Sequence, residues 1–172
     1  FSMRSDGPLD MRFDPCHIET TAAGFINSAN AKTLEQTLRE YGEEPRARQI
    51  AEAIIQQRRK NRIVGTHELA QIVRGVYGRA RMKIDPATRT FQALRIVVND
   101  ELDQLVQTLP LAIELLAPGG RIAVITFHSL EDRIAKNVFR ASAVAGITES
   151  LTKKPIVPTI QEITRNPRSR SA

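Results

Sequence analysis

The segment Phe127-His128-Ser129-Leu130-Glu131-Asp132-Arg133 places a histidine, a serine and two carboxylates side by side where the chain changes character. Before it, Ile122 to Phe127 is apolar apart from Thr126, with no period-2 alternation. An alternating run would be half exposed. This one predicts a strand covered on both faces, as in a parallel sheet flanked by helices. Pro118-Gly119-Gly120 ends the preceding element and turns the chain. Ser129 stands three residues before Asp132, a capping-box spacing, and Leu130, Ile134 and Val138 share one stripe of the helix predicted to follow. The polar residues then fall at the carboxyl end of a buried strand, where open α/β sheets put their ligands. His128, Ser129 and Glu131 are therefore candidates for polar contacts in a pocket. Two of them have a structural alternative: a helix cap for Ser129 with Asp132, a backbone-bonded histidine for His128. Hydrolysis by Ser129 and His128 fits poorly, because no nucleophile-elbow glycine pattern surrounds the serine.

A second polar group lies near the start. Asp6, Asp10 and Asp14 stand with Arg12 in nine residues, around Gly7, Pro8 and Pro15, which predicts a loop rather than an element. Its carboxylates could face a ligand or satisfy one another through Arg12.

The elements that must position these groups differ in charge. Of 172 residues, 45–83 carry ten basic and two acidic side chains and 153–172 carry five and one, while 1–44 and 84–152 are net acidic. Basic charge gathered in a middle segment and a tail suits a polyanion, most simply nucleic acid, or is a set of solvated helix faces. Residues 30–83 read as helical throughout. Asn30 caps a first helix that stops at Gly42; a second begins near Pro45, with Ala47, Ile50, Ala51, Ile54 and Ile55 inward and Arg46, Arg48, Arg58 and Arg59 outward. A third opens at Gly65-Thr66 with Leu69, Ile72, Val73 and Val76 as its stripe, and Arg79, Arg81 and Lys83 follow. A long helix capped by Thr88 or Thr90 then runs through Leu94, Val98, Leu102, Leu105 and Leu109 to a kink at Pro110. Arg89 and Arg95 stand near its amino end, where a cation is not helped by the helix and a partner anion is reasonable. Residues after Phe139 predict a loop or weak helix end, and Ile156 to Ile163 a short edge strand among prolines.

No apolar run approaches the roughly 18 residues of a membrane span, and no leader is visible. The lone Cys16 fits a reducing, cytoplasmic compartment. The three histidines stand far apart, so no metal site is expected. No Gly-rich nucleotide loop occurs, although a doubly wound fold carries one on its first strand. The chain is thus expected to be a fragment whose cofactor loop lies upstream of Phe1, inactive as an isolated polypeptide.

Several blocks in unbroken order carry a resemblance: Asp6-Gly7-Pro8-Leu9-Asp10-Met11-Arg12, Tyr41-Gly42-Glu43-Glu44, Arg89-Thr90-Phe91-Gln92-Ala93-Leu94-Arg95-Ile96, Asn99-Asp100-Glu101-Leu102, Pro118-Gly119-Gly120-Arg121, Phe127 to Arg133, and Asn166-Pro167-Arg168-Ser169-Arg170-Ser171-Ala172. Together they resemble the bacterial ribosomal RNA small-subunit methyltransferase H family, also called MraW. Asp85 stands where that family often has histidine. The resemblance implies an α/β fold, the C-terminal part of a class I methyltransferase (Rossmann-like, mostly parallel sheet) with an inserted all-helical substrate-recognition domain. Residues 1–15 would be a loop of the methyltransferase core, 16–84 the basic insertion and 85–172 the C-terminal part of the core. It also implies S-adenosyl-L-methionine as cofactor and N4-methylation of a cytosine in small-subunit (16S) ribosomal RNA, with the small ribosomal subunit as partner and no membrane. A homodimer is one option the sequence leaves open. Cytosine N4 needs an acceptor that takes a hydrogen bond from its amino group, and carboxylates make that pairing. Asp6, Asp10, His128, Ser129 and Glu131 are the candidates in this chain. RNA phosphates would fall to Arg46, Arg48, Arg58, Arg59, Arg89, Arg95, Arg168 and Arg170. A non-catalytic RNA-binding module of the same fold is the alternative.

Overall fold

A computed structural model of the chain describes residues 5–78, 84–152 and 154–171. Arg79, Arg81 and Lys83 lie outside the described residues. The chain divides into two compact units, residues 1–101 and 102–172.

The first unit is a helical cluster with the early loop folded into it. α1 (Ala22–Ser28) starts at Thr21, whose side chain accepts from the Gly24 amide. Sequence periodicity did not anticipate this helix, because two short turns are too few to show a stripe. α2 (Ala31–Gly42) starts at Asn30, as expected, and ends on Glu43 in the left-handed region. α3 (Ala47–Arg58) and α4 (Thr66–Tyr77) follow. α3 buries Ala47, Ile50, Ala51 and Ile54, close to the expected stripe. α4 is rotated from expectation: it buries Leu69, Ala70, Val73 and Tyr77 and leaves Ile72 and Val76 half-buried.

α5 (Ala87–Asn99) closes the core. It packs most extensively on α2, and Phe91 and Leu94 join Leu34, Leu38, Ile50 and Ile54 in one apolar cluster. Each such side chain stabilises the unit by about 1.5–3 kcal/mol through removal from water. The first compact unit therefore includes α5 and ends at residue 101.

The expected cap at Thr88 or Thr90 is not used. α5 begins one turn earlier, where Asp85 Oδ1 accepts from the Ala87 amide at 3.0 Å. The long helix is also broken earlier than Pro110. Asp100 adopts φ 54° and ends α5, and α6 (Glu101–Glu114) carries Pro110 within it. Aspartate is among the few side chains that visit the left-handed region.

In the second unit, α7 (Ser129–Val144) runs into the stretch expected to be a loop or a weak helix end, and α8 (Ile160–Arg165) stands where an edge strand was expected. A 3-10 turn (Pro167–Ser171) ends the described chain. Thr159 is the reason for the latter change, since its hydroxyl caps α8 by accepting from the Glu162 amide. Residues 121–127 pair with no strand among the described residues. Nor are they covered on both faces: Ile125 is 74% and Phe127 55% exposed, alternating with half-buried neighbours. Extended backbone counts as strand only through ladder partners, and the described residues supply none. The expected parallel sheet is thus not formed among them.

α2 and α5 approach closely because Gly42 has no side chain. A Cβ there would stand 2.7 Å from the Arg89 carbonyl oxygen and 3.3 Å from Ala93 Cβ. Gly42→Ala is expected to destabilise the chain by about 1–3 kcal/mol in urea denaturation. A loss below about 0.5 kcal/mol, an ordinary surface value, would contradict the contact.

Candidate functional site

The loop 5–13 is held by the helices on every side. The Leu9 amide donates to the Val64 carbonyl and the Thr66 amide to the Gly7 carbonyl, each at 2.9 Å, around an isolated antiparallel bridge between Pro8 and Gly65. Met11 sits at φ 65° with its side chain buried in the core. A non-glycine residue there costs on the order of 1 kcal/mol and needs its surroundings to impose it. Asn99 does so. Its amide donates to the Met11 carbonyl at 2.8 Å and accepts from the Phe13 amide at 2.7 Å. Asn27 clamps Ile63 in the same way, donating to its carbonyl at 2.7 Å and accepting from its amide at 3.1 Å.

Both carboxylates proposed from this loop have partners. Asp10 is gripped by Arg12 through two bonds, Nε to Oδ1 at 2.7 Å and Nη2 to Oδ2 at 2.9 Å, while Arg12 Nη1 reaches the Ile18 carbonyl at 2.8 Å. The guanidinium holds the Asp10 carboxyl below its ordinary range. Asp6 Oδ1 accepts from the Gly7 amide at 3.0 Å and from the His67 amide at 3.3 Å, at the start of α4.

At the second polar group the helix cap falls one residue earlier than Ser129. His128 is the N-cap of α7, with Nδ1 accepting from the Glu131 amide at 3.4 Å. Glu131 Oε2 accepts from the Phe127 amide at 2.8 Å, and its other oxygen lies 3.3 Å from His128 Nε2. The box is therefore His128 with Glu131. Ser129 is exposed in the first turn, and Asp132 pairs with Lys136 at 2.5 Å. Asp6 and Asp10 belong to the first unit, and His128, Ser129 and Glu131 to the second.

The eight candidate arginines separate into two kinds. Arg46 donates to the Val76 carbonyl at 2.8 Å and stacks over the Tyr77 ring; Arg58 donates to the Ile26 and Ala29 carbonyls at 2.7 Å each. Arg95 makes a two-bond pair with Glu101 at 2.8 and 2.9 Å, and Arg48 pairs with Glu52 across one helical turn. Arg59, Arg89, Arg168 and Arg170 are exposed, and their side chains form no ion pair among the described residues.

Sequence reasoning did not single out the buried acid Glu44. Its Oε1 takes a short hydrogen bond from the Tyr77 hydroxyl and another from the Arg46 amide at 2.9 Å. Its Oε2 has no hydrogen-bond partner among the described residues, nor does the buried hydroxyl of Thr90 on α5. Burial, then the Glu44 carboxylate, push the Tyr77 phenol up to about 12. The one signal in the sequence was position: Glu44 precedes Pro45 in a block that carries the resemblance.

The profile of the MraW methylase family matches residues 1–172, the whole chain. The chain belongs to that family. It is 48% identical to the ribosomal RNA small subunit methyltransferase H of Thermomicrobium roseum, over all of the chain and 57% of that protein. The proteins of the same description from Persephonella marina and Carboxydothermus hydrogenoformans are 50% and 48% identical, and the chain covers 59% and 60% of their lengths. It thus spans somewhat over half of the relatives it matches.

The described residues do not form a cradle for the cofactor that the MraW resemblance implies. No Gly-rich loop follows a strand, and the polar atoms described for Glu131 and Asp10 are engaged with their own neighbours.

Two outcomes follow from these contacts. Because the Asp10 carboxyl is held below its usual 3.8, its ion pair stabilises the fold above that pH and is lost as pH falls through the depressed value. Asp10→Asn should cost about 1–2 kcal/mol at neutral pH, and its gap from wild type should close as the pH is lowered below about 4. A gap unchanged with pH would remove the pair. For Tyr77 the neutral phenol is the stabilising form below pH 10.0, and its contribution is lost as pH rises towards about 12. Titration by phenolate absorbance should show a late step that Tyr77→Phe abolishes; a single step at the ordinary phenol pKa would contradict the burial.

Proposed function

We propose that this chain is part of an S-adenosyl-L-methionine-dependent methyltransferase that modifies the exocyclic N4 of a cytosine in small-subunit ribosomal RNA. The observation that carries the reading is the unbroken family match over residues 1–172, joined to 47–50% identity with relatives described as ribosomal RNA small subunit methyltransferase H. In this reading the cofactor supplies the methyl group, and its binding loop lies in the length of the relatives that the chain does not cover. That same length supplies strand partners for residues 121–127, which completes the class I sheet.

The chain's own contribution is substrate handling. Residues 16–84 form the recognition insertion, while residues 1–15 and 85–172 belong to the core. The target cytosine must leave its stack to reach a pocket. An acceptor for its amino group then raises the electron density of a nitrogen whose lone pair is delocalised into the ring. His128 and Glu131 support that role by their place on one short turn after an extended segment, with Ser129 exposed beside them. Asp6 and Asp10 are better matched to holding the early loop in its own unit, through Arg12 and the start of α4. Arg59, Arg89, Arg168 and Arg170 are the cations left available for phosphate, since the others in the candidate set are tied to carbonyls or carboxylates.

A non-catalytic RNA-binding module is the second reading, favoured by the exposed cations Arg59, Arg89, Arg168 and Arg170. The deciding experiment uses the whole protein with methyl-labelled cofactor and small ribosomal subunits lacking the modification. Label at cytosine N4 is expected, and Glu131→Gln should lower the rate by 10²-fold or more, on the order of a lost acid–base contact. Salt-sensitive binding without label transfer would establish the module instead.

A further inference from the structure

α3 and α4 lie side by side, and the faces they leave uncovered form an open groove of about 300 Å³. Ala53, Gln56, Gln57 and Lys60 line it from α3, at the i, i+3, i+4, i+7 spacing of one helical stripe. Ile72, Gly75 and Val76 line it from α4. Ile72 and Val76, on the stripe that periodicity assigns to the core, pack against it half-buried and also line this groove.

Gly75 points to an occupant. Glycine inside a helix is less stable than alanine, so its presence needs a reason. At Gly42 the reason is close packing on Arg89. At Gly75 a Cβ would meet nothing within 4 Å among the described residues, so no neighbour among them demands its absence. What the bare backbone provides is room for a flat group to lie against the apolar floor.

The rim has the charge for an anion. Arg59, Lys60 and Arg62 are exposed at the end of α3, and none has an ion pair among the described residues. The only two carboxylates of residues 45–83 are already engaged: Glu52 with Arg48, and Glu68 with the Gln57 amide and the Val64 backbone amide. Gln56 is exposed on the rim with its amide available.

We infer that this groove seats one unpaired nucleotide of the RNA substrate, its base against Ile72, Val76 and Gly75, its edge on Gln56, and the flanking phosphates on Lys60, Arg59 and Arg62. Amide side chains pair with base edges, unstacked bases lie on side-chain surfaces, and lysine and arginine take phosphate. A protein partner would bring a larger apolar anchor than a rim of amides and cations suits. The inference rests on the reading of the chain as acting on ribosomal RNA and adds a subsite to it.

The test measures binding of the full chain to a fluorescent single-stranded RNA of about twelve nucleotides across a range of salt. Gly75→Gln fills the groove with a good helix former; Gly75→Ala adds one methyl group and leaves it open. Both should fold at least as well as wild type by circular dichroism and melting temperature. Gly75→Gln should weaken binding about tenfold or more and Gly75→Ala less than about twofold, while Lys60→Ala should lower the salt slope by about one. Wild-type affinity in Gly75→Gln, or no RNA binding by wild type, would overturn the inference. RNA binding kept by Gly75→Gln but small-subunit binding lost would assign the groove to a protein and overturn it as well. Groove-dependent RNA binding in a whole protein that transfers no methyl group would remove the catalytic reading and leave the subsite standing.

Discussion

Asn27 and Asn99 do for loop backbone what a neighbouring strand would do. Each side-chain amide donates to one carbonyl and accepts from one amide of an irregular segment: both on Ile63 for Asn27, as in an antiparallel pair, and on Met11 and Phe13 for Asn99. Buried irregular backbone needs such partners, because an unpaired amide or carbonyl costs about as much as a lost hydrogen bond. With them, Leu9, Met11 and Ile63 can be fully buried in a unit that contains no strand among its described residues. Residues 5–13 thereby become part of a helical core assembled from segments nearly ninety positions apart, as the Asn99–Met11 bond shows.

That constraint decides which charged groups are available for chemistry. Asp10 with Arg12, Asp6 at the start of α4, and Arg58 on the carbonyls that end α1 all act on backbone placement. Arg46 does the same at the end of α4 while stacking on Tyr77. A cation fixed on a carbonyl is still a charge, so these arginines contribute to the field that draws in a polyanion. In the proposed RNA-handling role, direct contact falls to the exposed cations, above all at the end of α3. The division is one of labour within a basic segment: some guanidiniums hold helix ends, and others face solvent.

Much of this unit was legible in the sequence because its helices are long enough to show stripes and begin at recognisable caps. Asn30, the run Ala47 to Ile54 and the Gly65-Thr66 start fell where periodicity and capping place them. What escaped has physical causes. The seven-residue α1 is too short for a stripe, and the Asn99-Asp100 break is set by a side chain committed to a loop far away in sequence. The cap of α7 fell on His128 instead of Ser129 because an imidazole nitrogen can accept the same bond. The apolar run at 122–127 was read as buried strand. Composition reports what a segment is suited to pair with, and the described residues contain no such partner. The family, by contrast, was legible from seven short blocks in unbroken order, two of which hold Gly42 and Asn99.

Native-state amide hydrogen exchange on this chain addresses the central claim, that the early loop is clamped into the helical core. The account predicts that the amides of Leu9, Phe13 and Ile63 exchange with the core helices α2 and α5, near the global unfolding free energy. Exchange of these three at the rate of exposed loop amides, while α2 and α5 stay protected, would contradict it.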